Sequence, residues 1–273
     1  MFTKLPKNAM PRRLACGAAV ITILAAMAGC ANSKLTTGSI NNQSFANMSA
    51  SEIDRTSMAL GEKYAKNPKD KQTAMNYAQV LQMDGKQGQS LAVMRKLAID
   101  YPRDRKVLAA YGKALAAAGE FEPALDAIRR AQTPEYPDWK LFSAEAAILD
   151  QMGKTNEARQ LYRRALDLKP DEASILSNLG LSYLLEGDLK SAETYLRNAM
   201  SRPGADSRVR QNLALVVGLQ GRFDEAETIA RQELSPDQAQ ANVAYLRQML
   251  SQQNAWNQLK DEDKGKAKAN SAN

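Results

Sequence analysis

The chain contains no histidine, and its two cysteines, Cys16 and Cys30, both lie within the first 30 of its 273 residues. The body of the protein therefore cannot carry a disulfide framework. A His-based triad, a cysteine nucleophile in the body and a His- or Cys-ligated metal site are excluded with it. Aromatic residues are scarce, at 6%. A chain poor in aromatics and rich in Ala and Leu favours helices over a β-sandwich. No block of Lys and Arg with interleaved aromatics occurs, which argues against nucleic acid as a partner. The formal charge of +7 is partly local: Lys4, Lys7, Arg12 and Arg13 precede the first apolar run, and without them 33 basic residues face 30 acidic ones. The phosphate-binding spacing G-x-x-x-x-G-K-[ST] and the nucleophile elbow G-x-S-x-G are both missing. Paired acids do occur, as Asp171-Glu172, Asp224-Glu225 and Asp261 to Asp263. The first two pairs open helices, where acids suit the helix dipole, and the third lies close to the C-terminus. Met75, Met83 and Met94 read as core or groove filler rather than a metal box. The expectation is a protein that is not an enzyme, with no catalytic residue, cofactor or metal.

What is present begins with an address. Residues 1–29 combine a basic, acid-free start with a 15-residue apolar run from Leu14 to Ala28. A permanent membrane span needs about 20 apolar residues, so this run suits a secretion signal. It ends in Met27-Ala28-Gly29-Cys30, which resembles a lipoprotein lipobox, with Met27 where a branched aliphatic residue is usual. The resemblance implies that Cys30 becomes lipid-modified and N-terminal. Ala26-Met27-Ala28 also offers an ordinary signal-peptidase site, which would leave a soluble periplasmic protein. Two or more acyl chains would anchor the chain stably. Ala31 follows the cysteine, where lipoproteins kept in the inner membrane tend to have Asp, so the expected location is the outer membrane, facing the periplasm. Residues 30–50 are Asn-, Ser- and Thr-rich and read as a flexible tether. Twenty such residues reach at most about 70 Å when extended.

The body from 51 to 259 keeps a strict beat. Gly85, Gly119, Gly153, Gly187 and Gly221 are separated by 34 residues each. Pro68, Pro102, Pro137, Pro170, Pro203 and Pro236 follow the same period with small slips. Five residues after each glycine stands Ser90, Ala124, Ala158, Ala192 or Ala226, and seven before it Ala78, Gly112, Ala146, Gly180 or Ala214. Such small residues allow two helices to cross closely. The glycine ends the first helix in a left-handed cap, and the proline marks the turn between units. Leu81, Leu115, Leu149, Tyr183 and Val217 fall four before the glycines and fill the seam. A helix pair of this length is marginal alone and needs its neighbours.

These residues resemble the tetratricopeptide repeat, most clearly at Leu179-Gly180, Tyr183, Gly187, Ala192, Leu196 and Ala199. The resemblance implies an all-α, right-handed superhelix (an α-solenoid) of five helix-turn-helix repeats with flanking capping helices. The register places them at 71–104, 105–138, 139–172, 173–206 and 207–240. The last is irregular, with Glu233 where earlier repeats have Leu97, Ala131, Ala165 and Ala199. Ser51 with Asp54 is expected to cap a helix over 51–66. Asp237 to about Leu259 reads as a capping helix, carrying Val243, Leu246, Leu250, Trp256 and Leu259 and broken near Asn254. Residues 260–273 are expected to be a disordered tail.

In this repeat family, the first helix of each unit lines a ligand groove. Carried onto this chain, the lining consists of Asn76, Gln79, Lys106, Lys113, Lys140, Asn178, Leu181, Arg208, Asn212 and Leu215. Arg208, Asn178 and Asn212 match part of the carboxylate clamp some members carry, while Ser143 and Ala147 stand where its remaining Lys and Asn would be. The alternative for Lys106, Lys140 and Arg208 is that they solvate helix starts. The expected ligand is an extended or helical segment of a partner protein, with no nucleic acid or small-molecule substrate. Signal, lipobox, tether and repeats together resemble the Flp/Tad pilus assembly lipoprotein TadD family. That resemblance implies a membrane-anchored assembly scaffold whose partner is the pilus secretin or another pilus component. Two other roles stay open: a scaffold for β-barrel or polysaccharide-export assembly, and a regulator of peptidoglycan enzymes.

Overall fold

The computed structural model describes residues 48–271. Among them are twelve helices and no strand. Helix α1 (Ala50–Lys66) precedes five pairs: α2 (Lys71–Met83) with α3 (Gln87–Asp100), α4 (Arg105–Ala117) with α5 (Phe121–Ala131), α6 (Trp139–Gln151) with α7 (Thr155–Leu168), α8 (Ala173–Glu186) with α9 (Leu189–Met200), and α10 (Ser207–Leu219) with α11 (Phe223–Ala230). The long α12 (Pro236–Ser271) closes the array. The expected signal segment 1–29, the lipidation candidate Cys30, the expected tether as far as residue 47, and residues 272–273 lie outside the described residues.

The local chemistry of each repeat explains where its helices start and stop. The first helices open at Lys71, Arg105, Trp139, Ala173 and Ser207, 34 residues apart. Four of them are capped by an aspartate: Asp70, Asp104, Asp138 and Asp206 accept hydrogen bonds from backbone N–H groups of the first turn. Such a cap satisfies donors the helix itself cannot. Glu172 holds the fourth such place without a side-chain cap bond. Each first helix ends at its period glycine, whose φ lies between 75° and 84°. The next residue's N–H then reaches back to the carbonyl of Leu81, Leu115, Leu149, Tyr183 or Val217, at 2.8 to 3.3 Å. This is the Schellman arrangement, and the left-handed glycine makes it possible.

Within each pair the crossing is close. A Cβ on Gly112 would lie 2.8 Å from Ile128 Cγ1, and one on Gly180 2.9 Å from Leu196 Cγ. At the first crossing the buried Ser90 hydroxyl donates to the Ala78 carbonyl at 2.7 Å. One apolar cluster runs from Ala74 to Leu179, and a second from Leu184 to Leu246. Tyr183 packs against both. Helix α1 covers the N-terminal end by placing Ile53 against Val80 and Met83.

Three expectations are corrected at the ends. The capping pair of α1 is Ser49 with Glu52, not Ser51 with Asp54, and the helix starts at Ala50. Both pairs have the N-cap to N3 spacing, but only Ser49 has a glutamate at N3, and its carboxylate accepts from the Ser49 N–H at 2.7 Å to complete the capping box. Helix α12 is continuous through Asn254 and runs to Ser271, where a break and then a disordered tail from 260 were expected. Residues 260–271 are rich in Lys and Ala, strong helix formers that extend a helix already nucleated on the core. Of its expected contacts, Val243 and Leu246 are buried and Leu250 is half-buried. The irregularity at Glu233 also has a physical form. Helix α11 stops at Ala230, and the Glu233 carboxylate pairs with Arg210 of α10.

Candidate functional site

Every helix packs on the next, and α4, α6, α8, α10 and α12 also touch in succession. The first helices therefore share one face. Polar bonds run along it: the Asn178 amide donates to Ser143 Oγ, and the Asn212 amide to Ser177 Oγ, both at 3.3 Å. Ser143 and Ser177 are one period apart, and so are Asn178 and Asn212. Each rung thus links one repeat to the next. Ala109 and Ala144 occupy the same places one repeat earlier, so the ladder begins at repeat three.

The other expected lining residues divide. Asn76 is half-buried and accepts a bond from Gln72 at 2.8 Å. Gln79 is half-buried, and its amide nitrogen lacks a hydrogen-bond partner among the described residues. Lys106 is exposed, while Lys113 and Lys140 are half-buried. Burial, and then the charge of Lys140, lowers the Lys113 pKa to about 8, with Asp138 acting in the opposite direction. These two lysines belong to different repeats and sense each other across the joint. Lys140 also lies 5.5 Å from the Trp139 ring centroid. Arg208 is exposed and bonds Asp206 Oδ2 at 2.8 and 2.6 Å, fastened to the cap of its own helix. Leu181 is half-buried. Leu215 is 6% exposed and belongs to the cluster containing Val243 and Leu246, so it is core and not lining. Helix α12 covers α10 in the way a further repeat would.

A second polar group lies inside the joint between repeats three and four. Asp150 is 8% exposed and accepts a hydrogen bond from the buried Ser182 hydroxyl at 2.8 Å. The fully buried Tyr162 hydroxyl also bonds to it. Burial raises the Asp150 pKa to about 6 against the lowering effect of Ser182, Tyr162 and Arg159. Arg159 joins Glu186 at 2.6 Å and lies 4.6 Å from the Tyr183 ring centroid, and Tyr183 stacks on Tyr195. This carboxylate is held by hydroxyl groups from the second helix of its own repeat and from the first helix of the next. Its chemistry is that of a joint. No group of three or more His, Cys, Asp or Glu that could hold a metal occurs among the described residues.

The serine rungs and the Asp150 joint were missed by sequence reading. The rungs had a signal, since Ser143 and Ser177 keep the same 34-residue interval as the glycines. Asp150 had none, because a lone acid near a helix end reads as solvent-facing.

A profile described as TPR repeat matches residues 148–187, and profiles described as Tetratricopeptide repeat match 173–205 and 208–232. No curated protein sequence matches the chain. Among solved structures, the thermophilic tetratricopeptide-repeat protein TTC0263 of Thermus thermophilus is similar with a TM-score of 0.56 and 21% identity, over 64% of this chain and 97% of that one. PilW, described as a widely conserved type IV pilus biogenesis factor, gives 0.57 and 17%, over 73% and 91%. PilF of Pseudomonas aeruginosa gives 0.50 and 18%, over 71% and 90%. At these identities the likeness is one of fold. Glycine caps, close crossings, a shared first-helix face and the matched repeats lead to one conclusion: the chain carries tetratricopeptide repeats within residues 148–232 and folds as an all-helical tetratricopeptide-repeat solenoid.

Proposed function

We propose that this protein is a lipid-anchored scaffold at the outer membrane that helps a Flp/Tad-type pilus secretion apparatus assemble. The observation that carries this reading is the continuous first-helix face, lined across repeat joints by the half-buried Asn178 and Asn212, each held in place by a buried serine of the preceding repeat, Ser143 or Ser177. Such a face offers donors and acceptors to a polypeptide laid along it. Its partner is the pilus secretin or another pilus component. The lipid on Cys30 fixes the location, and the tether lets the solenoid stand off the bilayer.

Three things support the pilus reading: the lipobox-like Met27-Ala28-Gly29-Cys30, the repeat layout, and a fold shared with PilF and PilW. Two experiments test it. In a deletion strain, pili should be lost and the secretin should fail to assemble; normal pili would sink the proposal. The substitution Cys30→Ser should move the protein from the membrane to the soluble periplasmic fraction, and unchanged fractionation would remove the anchor.

A further inference from the structure

The joint between repeats three and four is built from different chemistry than the others. The place of Ser182 is held in the other repeats by Val80, Ala114, Ile148 and Val216, all buried. The place of Tyr162 is held there by Met94, Ile128, Leu196 and Ala230, again all buried. At this joint two buried hydroxyls instead meet a buried carboxylate, Asp150. The apolar core divides at the same level, one cluster ending at Leu179 and the next beginning at Leu184. The polar network is also incomplete, since Arg159 Nη1 is buried and lacks a hydrogen-bond partner among the described residues. A partly satisfied polar network holds two surfaces together less well than packed apolar side chains do.

A carboxyl group in such a place is tolerated neutral and resisted when charged. Burial accordingly raises Asp150 to about 6, against the effect of Ser182, Tyr162 and Arg159. The charged groups around it have other engagements. Arg159 of α7 pairs with Glu186 at the end of α8, and Asp188, just before α9, acts on both. Arg129 of α5 is bonded to Glu145 at 2.7 Å. Lys113 of α4 senses Lys140 and Asp138, which stand at the opposite end of α6. The charged form of Asp150 therefore gains most by reaching water, which it does when α8 draws away from α6 and α7. We propose that this joint is a proton-controlled hinge: with Asp150 protonated the two halves of the solenoid are held in line, and with Asp150 ionised α8 and the repeats after it swing away. The Asn178–Ser143 rung spans the same two helices, α6 and α8, so opening the hinge interrupts the first-helix face at that rung. The hinge stands on the joint alone, whatever partner that face takes.

Once water reaches Asp150, its pKa returns to about 3.9. Opening is then favoured about tenfold more for each pH unit between about 4 and 6, and levels off above that range. The test uses the purified full-length chain with Cys16→Ser and Cys30→Ser, labelled with a donor and an acceptor dye at introduced cysteines. Ala92, Gln160 and Thr228 are exposed and occupy the same place on the second helices of repeats one, three and five. The pair Ala92→Cys, Thr228→Cys spans the hinge, and the pair Ala92→Cys, Gln160→Cys stays on one side of it. Single-molecule energy transfer across the hinge should show the ratio of open to closed molecules rising about twentyfold from pH 4.5 to pH 7.5. The one-sided pair should not change. Asp150→Asn, which cannot ionise, should keep the spanning pair closed at pH 7.5. Asp150→Leu, carrying the residue that repeat four has at this place, Leu184, should do the same and serves if the first variant fails to fold. A spanning pair that gives the same distribution at both pH values overturns the hinge whether or not the variants fold. So does an equal change in the one-sided pair, or a pH response that persists in either folded variant.

Discussion

Asp150 sits where an ionised carboxylate is least at home, between Ser182, Tyr162 and the packed walls of α6, α7 and α8. Its folded pKa of about 6 exceeds the value of about 3.9 expected in the unfolded chain. Between these two values the folded state holds the proton more tightly. Stability from this group is therefore fully present below about pH 4 and is lost as pH rises through about 6. The charged groups facing it are Arg159 and Glu186, of which Arg159 favours ionisation and Glu186 opposes it. Asp150→Asn keeps the shape and the acceptor for Ser182 but cannot ionise. At pH 7.5 this variant should be more stable by about 1–3 kcal/mol, with the gain fading toward pH 4. Thermal melts across that range check it; a pH-independent difference would show that the carboxylate titrates elsewhere. The position also shows what sequence conveys at this scale. Gly112 and Gly180 were legible as close crossings because only a missing Cβ allows them. Asp150 was not, because its burial depends on Ser182 and Tyr162, which come from two other helices.

At the scale of the element, both ends of a first helix are fixed by side chains one period apart. The glycine end was read correctly from spacing alone, since a left-handed residue has few substitutes. The aspartate end had the same regularity, at Asp70, Asp104, Asp138 and Asp206, and was passed over because acids are common on solvated faces. Asp104 does two things. It caps α4 through the N–H groups of Lys106 and Val107, and it bonds Lys71 Nζ of the previous repeat at 2.7 Å. Asp104→Ala should cost about 1–2 kcal/mol, whereas Asp104→Asn keeps most of the cap and should cost less than about 1 kcal/mol. Glu172→Ala, at a helix start with no side-chain cap, should change stability by less than about 0.5 kcal/mol. Urea titrations of the three variants decide this, and equal losses at Asp104 and Glu172 would show that the cap contributes little. A different network links α9 to the turn before α11. Glu193 contacts Arg197 and Arg222, which also hold Glu225. Burial works against the Glu193 charge, yet Arg222, Gln220 and Arg197 bring its pKa down to about 2. Its stabilisation is therefore present above the usual carboxylate range and lost as pH falls toward about 2.

For the whole molecule, stability is distributed as in a one-dimensional chain of neighbours. Helix α12 matters most at its own end, where Leu246 covers Gly218 closely enough that a Cβ there would collide with it. Removing residues 236–273 should expose Leu215 and its neighbours and lower protection of α10 and α11 by roughly 2–4 kcal/mol, while repeats one to three keep theirs. Hydrogen exchange measured helix by helix checks this, and a uniform loss would mean the array folds as a single unit. The extent of α12 was the part of the architecture least legible in the sequence, since Lys, Ala and Asn without large apolar residues fit a helix continuing from a packed stem as well as a disordered tail. The asparagine–serine rungs carry one further consequence, which concerns measurement. Neighbouring helix axes lie about 8–10 Å apart, and an extended chain advances about 3.3 Å per residue. A strand laid across the rungs thus meets a new one about every third residue. For a segment bound as proposed, the two rungs would set its register in steps of about three residues, so inserting one residue between the stretches that meet them would throw the second contact out of step, while inserting three would bring a residue back to the second rung.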